Sequence, residues 1–177
     1  LLGQEPPAFD ILYWNADTTN LPAALHGDLM NLLQAGGMTS GRGPTIGGHK
    51  LELKQITCDT YLVGGETDHI TPWDGCYLTT QGLGGDWQFV LSQSGHIQSL
   101  INPPGNTKAR YLTNAAKPAT ATDFLAGAQT HSGSWWPHWL EWLNAHGGEK
   151  VAAPKTLGSK KHKAGIDAPG TYALAAS

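Results

Sequence analysis

Hydrophobic positions along this chain fall into short, separated runs. Residues 9–14 (Phe-Asp-Ile-Leu-Tyr-Trp) form an aromatic-rich segment that reads as a strand or a packed connector. Asn20 then precedes Leu21-Pro22-Ala23-Ala24-Leu25, where a cap followed by an early proline opens a helix. Leu25, Leu29, Leu32 and Leu33 share one face of it, and Gly36-Gly37 ends it. Residues 36–48 hold six glycines and no apolar periodicity, which predicts a loop. Leu51-Glu52-Leu53 then alternates like a short strand. Residues 59–65 (Asp-Thr-Tyr-Leu-Val-Gly-Gly) read as a buried strand that ends in glycines. Pro72 opens a helix over 72–82, and 87–91 (Trp-Gln-Phe-Val-Leu) make another strand, ending at Ser94-Gly95-His96. Helices are predicted over 122–131 and 137–146. The second has Pro137 in its first turn, Gly147 beyond its end, and Trp139, Trp142 and Leu143 on one side. From Lys150 onward the pattern dissolves into a polar, proline-punctuated tail.

A strand, helix, strand order with short loops predicts a parallel α/β sheet. Two or three strands make a small sheet, and parallel strands need both faces covered. The chain is therefore expected to be the C-terminal part of a larger sheet. Its first residue, Leu1 rather than Met, agrees with a processed product or a piece of something longer. The expected organisation is 1–50 as a leading segment with the glycine-rich loop, 51–149 as the sheet-bearing core, and 150–177 as a basic tail.

Composition narrows the class. Hydrophobic residues make up 40% and charged residues 14% of 177, so a packed core forms and wholesale disorder is excluded. No run approaches the roughly 20 apolar residues that span a bilayer, and no charged-then-apolar leader opens the chain. The net charge of −3 hides an asymmetry: 6 Lys and Arg stand against 13 acids through residue 149, and 5 Lys against one acid after it. The acidic body argues against nucleic acid. The lysines of the tail could meet an acidic partner or surface, or simply be solvated. Two cysteines, Cys58 and Cys76, are too few for a disulfide framework and read as small buried hydrophobes in a reduced, cytoplasmic setting.

Candidate chemistry sits where open α/β sheets place it, past the carboxyl ends of strands. Asp68 follows the strand at 59–65 and His96 follows the strand at 87–91. Adjacent strands would bring them together. An acid and then a histidine match the last two members of an α/β-hydrolase triad, whose chain order is nucleophile, acid, histidine. The histidine takes a proton from the nucleophile while the carboxylate fixes its tautomer. The nucleophile itself should lie on a Gly-x-Ser-x-Gly or Gly-x-Cys-x-Gly turn, and neither the eight serines nor the two cysteines offer one.

Other constellations are weaker. Among His131, His138 and Glu141, His138-x-x-Glu141 places two possible ligands on one helical face, but a third at fixed spacing is missing. Residues 43–50 are glycine-rich but lack the Gly-Lys-Ser/Thr ending of a phosphate loop, and Pro44 removes an amide donor. Trp135, Trp136, Trp139 and Trp142 read as the apolar side of a helix docked on the sheet.

Four motifs carry a resemblance. Trp14-Asn15-Ala16-Asp17-Thr18-Thr19-Asn20-Leu21-Pro22, Gly65-Glu66-Thr67-Asp68-His69-Ile70-Thr71-Pro72-Trp73, Ser94-Gly95-His96-Ile97 running on to Ile101-Asn102-Pro103-Pro104, and Gly133-Ser134-Trp135-Trp136-Pro137-x-Trp139 resemble segments of polyhydroxyalkanoate synthases, in the same order. The chain looks most like the class I enzymes of that family. The resemblance implies an α/β-hydrolase core whose C-terminal part is this chain, with the end of an inserted cap subdomain at its start. It implies an acyltransferase that polymerises (R)-3-hydroxyacyl groups, 3-hydroxybutyryl among them, from coenzyme A thioesters into polyester, through a cysteine upstream of this chain. By position His96 would activate that cysteine and Asp68 would orient His96 or help deprotonate the attacking hydroxyl. His69, Trp73, Asn15 and Asp17 would line or support the site. No cofactor or metal is implied beyond the coenzyme A thioester substrate. A homodimer at the surface of cytoplasmic polyester granules is implied for the whole enzyme. An esterase or polyester depolymerase of the same fold, and a non-catalytic binding module on the same scaffold, are the alternatives.

Overall fold

A computed structural model describes residues 19–167, 170 and 171. The predicted segment at 9–14, the motif from Trp14 to Thr18, and the candidate residues Asn15 and Asp17 lie outside the described residues. Residues 27–148 form one compact unit, which carries the main sheet and the candidate site.

Helix α1 (Ala23–Gln34) occupies the predicted position. Its leucine face is not covered among the described residues: Leu25, Leu29 and Leu33 are exposed. The glycine-rich stretch holds a 3₁₀ turn (Met38–Ser40) and a minimal hairpin, β1 (Thr45–Ile46) with β2 (His49–Lys50). The main sheet follows, with strands β3 (Thr60–Gly65), β4 (Trp87–Ser92), β5 (Arg110–Thr113) and β6 (Gln129–Ser132) in spatial order. Helix α2 (Trp73–Thr80) links β3 to β4, α3 (Ala121–Ala126) links β5 to β6, and α4 (Trp136–His146) closes the unit.

Strands β3 and β4 are parallel and in register from Thr60 opposite Trp87 to Gly65 opposite Ser92. A parallel pair needs a crossover, and α2 supplies it. Strand β4 carries no polar alternation because both its faces are buried. Phe89 and Leu91 point to one side, where they pack with Tyr77 of α2 and Phe124 of α3. Val90 points to the other, with Tyr111 and Trp135. The first cluster is aromatic and close-fitting. Phe89 meets Phe124 edge-on with centroids 5.3 Å apart, and Tyr77 meets Phe89 edge-on at 5.0 Å.

Several expectations are corrected. The sheet is mixed rather than parallel, since β4–β5 and β5–β6 are antiparallel. Residues 93–109 join β4 to β5 without a covering helix, so the chain returns in the opposite direction. Leu51-Glu52-Leu53 is not a strand. Glu52 and Gln55 form a capping box, and the chain turns into a 3₁₀ helix over Leu53–Gln55. The helix predicted over 122–131 ends at Ala126. Thr120 caps its start by accepting the Asp123 amide, and Gly127 follows its end. Asn114 Nδ2 donates to the Phe124 carbonyl at 3.0 Å, so the chain is released into β6. Strand β5 has no counterpart in the sequence reading. In α4, Trp139 and Leu143 are exposed while Trp142 faces Tyr61 edge-on, so the predicted apolar side is split. Cys58 is exposed, and only Cys76 is partly covered.

Phe124 is 1% exposed at the junction of α2, α3 and β4. Phe124→Ala is expected to destabilise the fold by about 3–5 kcal/mol. A denaturant titration would show it as a lowered midpoint with an unchanged slope.

Candidate functional site

The register of β3 and β4 delivers two loops side by side. Pairing continues past the strand ends: Glu66 N–H donates to the Ser92 carbonyl at 2.9 Å, and Thr67 N–H to the Ser94 carbonyl at 3.2 Å. Ser94 sits at φ 91°, a left-handed conformation that a non-glycine residue adopts only under constraint. That bend turns Gly95-His96 back toward the acid loop.

The two candidate residues meet. His96 Nδ1 lies 2.9 Å from Asp68 Oδ2. The same carboxylate accepts from the Ile70 amide at 2.9 Å and the Thr71 amide at 3.0 Å, both on Oδ1, and from the Thr71 hydroxyl at 2.8 Å on Oδ2. Its side chain is 5% exposed, whereas that of His96 is 44% exposed. Asp68 is held well below the usual carboxylate range, first by the Thr71 amide against the opposing effect of burial, then by the Thr71 hydroxyl, His96 and the Ile70 amide. An ionised carboxylate only accepts, so Nδ1 of His96 carries the proton of that contact. In the neutral ring Nε2 is then the basic nitrogen, on a partly exposed side chain. A histidine oriented in this way can withdraw a proton from an acidic group brought to Nε2.

The other candidates are placed differently. His69 is exposed and makes no side-chain hydrogen bond among the described residues. Trp73 opens α2 and packs into the core, its ring 6.2 Å from that of Phe124. It braces the acid loop from below. His131 and His138 are absorbed in an aromatic cluster: His138 Nδ1 lies 2.7 Å from the Tyr61 hydroxyl, and His131 Nε2 lies 2.8 Å from the Thr113 hydroxyl. Burial pushes the Cys76 thiol up, and the nearby carboxylates of Asp68 and Asp74 add to it. Its sulfur lies 3.8 Å from the Thr71 carbonyl, so it is poorly suited to attack.

Sequence reasoning missed three supporting residues. Thr71, three positions after Asp68, follows the local pattern by which a carboxylate accepts from the turn it precedes. Arg110 Nη2 donates to both carboxylate oxygens of Glu66, at 3.0 and 2.8 Å, and ties the acid loop to β5. Ser99 is 2% exposed and fills the space beside Gly65. Spacing alone gives no sign of the last two. Gly65 itself is fixed by crowding: a Cβ there would lie 2.9 Å from Ser99 Oγ and 3.2 Å from Asp68 Cβ.

Two measurements probe this geometry. Gly65→Ala must drive the acid and histidine loops apart and is expected to cost about 1–3 kcal/mol. It should also weaken the downfield proton signal of the His96–Asp68 contact in NMR spectra. The second concerns acid. Because the folded carboxylate titrates below its unfolded value, its stabilising contribution is complete above about pH 4 and is lost as pH falls below that. Asp68→Asn is therefore expected to flatten the fall of the denaturation midpoint on acidification below about pH 4.

No protein-family model matches the chain. Individual relatives match almost all of it. It is 49% identical over 172 residues to poly(3-hydroxyalkanoate) polymerase 1 of Ectopseudomonas oleovorans, covering 97% of this chain and 31% of that protein. Polymerase 2 of the same organism is 49% identical over 174 residues, 98% of this chain and 31% of the relative. The poly(3-hydroxyalkanoate) polymerase subunit PhaC of Cupriavidus necator is 41% identical over 181 residues, 99% of this chain and 30% of the relative. Nearly the whole of this chain is thus homologous to a stretch of the poly(3-hydroxyalkanoate) polymerases that makes up about a third of their length.

Proposed function

We propose that this chain supplies the acid and the base of a poly(3-hydroxyalkanoate) polymerase of α/β-hydrolase fold, whose nucleophilic cysteine lies upstream of it. The single observation that carries this reading is the Asp68–His96 contact at the ends of two parallel strands, in a chain homologous to these polymerases. His96 Nε2 takes the proton of the cysteine thiol. The thiolate attacks the carbonyl carbon of an (R)-3-hydroxyacyl coenzyme A thioester and expels coenzyme A thiolate, which is protonated on leaving. The acyl group is then held as a thioester on the enzyme. In the second step the 3-hydroxyl of a further acyl unit attacks that thioester, with its proton again passing to Nε2. An ester bond forms and the cysteine is released. Asp68 keeps Nδ1 protonated and the ring oriented, and stabilises the imidazolium in both steps.

This reading extends to organisation and setting. Residues 1–50 would end a cap subdomain, 51–149 would complete the hydrolase core, and 150–177 would be a basic tail. The growing polyester is the polymeric partner, and a homodimer at a cytoplasmic granule surface is the proposed assembly. No resident cofactor takes part.

Coenzyme A release from (R)-3-hydroxybutyryl coenzyme A tests the proposal. Turnover is expected from the full-length protein that carries this chain and not from the 177 residues alone. His96→Ala and Asp68→Asn in the full-length protein should lower it by roughly 10²- to 10⁴-fold. Turnover by the 177 residues alone would overturn the upstream nucleophile, and ester hydrolysis without polymerisation would favour a hydrolase.

A further inference from the structure

The loop that carries His96 runs from Ser94 to Asn102 and contains one helical turn. Ser99 N–H donates to the Gly95 carbonyl, and Leu100 and Ile101 N–H donate to the Ile97 carbonyl, each at 3.0 Å. Within the loop the Leu100 carbonyl accepts from the Asn102 amide at 3.1 Å, while the Ser99 and Asn102 carbonyls receive no backbone N–H among the described residues. Ser99 and Asn102 are buried against the start of α4, 2% and 3% exposed, so water has little access to their carbonyls, whereas Leu100 is 50% exposed.

Three consecutive residues at that point meet them. Trp135 Nε1–H donates to the Ser99 carbonyl at 2.8 Å, and Trp136 Nε1–H donates to the Leu100 carbonyl at 2.9 Å. The Ser134 hydroxyl donates to the Asn102 carbonyl and accepts from the Trp136 amide at 3.0 Å. The geometry points to a positioning role for Ser134, Trp135 and Trp136: they cap the histidine turn from outside and hold His96 in reach of Asp68. Packing alone does not account for them, because an apolar contact needs no N–H, and here both indole donors are aimed at successive carbonyls of one turn.

The cap is anchored in turn. Trp135 stacks on Tyr61 of β3 with centroids 6.1 Å apart, so the histidine turn is referred back to the strand that leads into the acid loop. Ser99, whose carbonyl the indole binds, also presses on Gly65 at the end of β3. Both catalytic loops are thus referenced to one strand. If the cap is lost, the buried carbonyls must turn toward water, and the backbone of His96 moves with them.

This inference rests on the function proposed above. Its test separates the two. In the full-length protein, Trp135→Phe keeps an aromatic ring and removes the N–H, and Trp136→Phe does the same at a less buried position. Each is expected to lower kcat by about ten- to a hundredfold while KM changes little, since positioning and not substrate affinity is lost. Each should also broaden or remove the downfield His96 Nδ1 proton signal. Trp139→Phe, on an exposed ring of the same helix, should leave both readouts as in the parent. If Trp135→Phe fails to fold, Trp136→Phe carries the test. Folded variants with an intact Nδ1 signal and unchanged kcat would overturn the positioning role. A parent protein that releases no coenzyme A would sink the proposed function, and the Nδ1 signal alone would then decide on the cap.

Discussion

The parallel pairing of β3 with β4 is the constraint on which the rest of the unit depends. It sets two strand ends level, Gly65 beside Ser92, so the loops that leave them start as neighbours. Everything at the site follows from that level finish. Without it Asp68 and His96 would be 28 positions apart in sequence with no reason to meet. The pairing is in turn secured by what covers it. Tyr77 of α2 and Phe124 of α3 seal one face of β4, and Trp135 with Tyr111 seals the other. A strand whose two faces are both occupied has little freedom to slip, because a shift of one residue would exchange Phe89 and Leu91 with Val90.

The site divides its work between a saturated carboxylate and a half-free imidazole. Asp68 is almost fully enclosed, and four donors converge on its two oxygens. Three of those four come from Ile70 and Thr71, so the acid would remain ionised and fixed without the histidine. His96 has the opposite character. One ring nitrogen is committed to the carboxylate, and the ring is substantially exposed. A rigid acid beside an accessible base is suited to a reaction in which the proton donor arrives from elsewhere, because the reorganisation needed at the moment of transfer is confined to the incoming group.

Much of this was legible in the sequence, for local reasons. A continuous apolar run that ends in glycine marks a buried strand, so β3 and β4 could be placed. Their ends then singled out Asp68 and His96. The elements that could not be read are those decided by pairing with other strands or by side chains that compete for the backbone. Strand β5 is short and half polar, and only its pairing with β4 and β6 makes it a strand. The helix over 121–126 gives way to β6 because Asn114, ten positions before Phe124, takes the Phe124 carbonyl. The alternation at 51–53 looked like a strand, but a Glu–Gln capping box is a local competitor that won. At the site, Thr71 follows a local rule, while Arg110 and Ser99 act across 44 and 34 positions and leave no pattern to find.

The thiol nearest the acid shows why proximity alone does not make a nucleophile. Cys76 is close enough to Asp68 to feel its charge, and it is half-buried in the floor of the site. Both effects disfavour the thiolate, and the adjacent Thr71 carbonyl gives the sulfur a partner that favours its protonated form. A useful nucleophile needs the reverse: an approach to the imidazole rather than to the carboxylate, and a setting that lowers its pKa. Burial and the neighbouring carboxylates therefore favour the protonated thiol of Cys76. His96 is the more accessible partner of the pair, its Nδ1 committed to Asp68 while its side chain is 44% exposed.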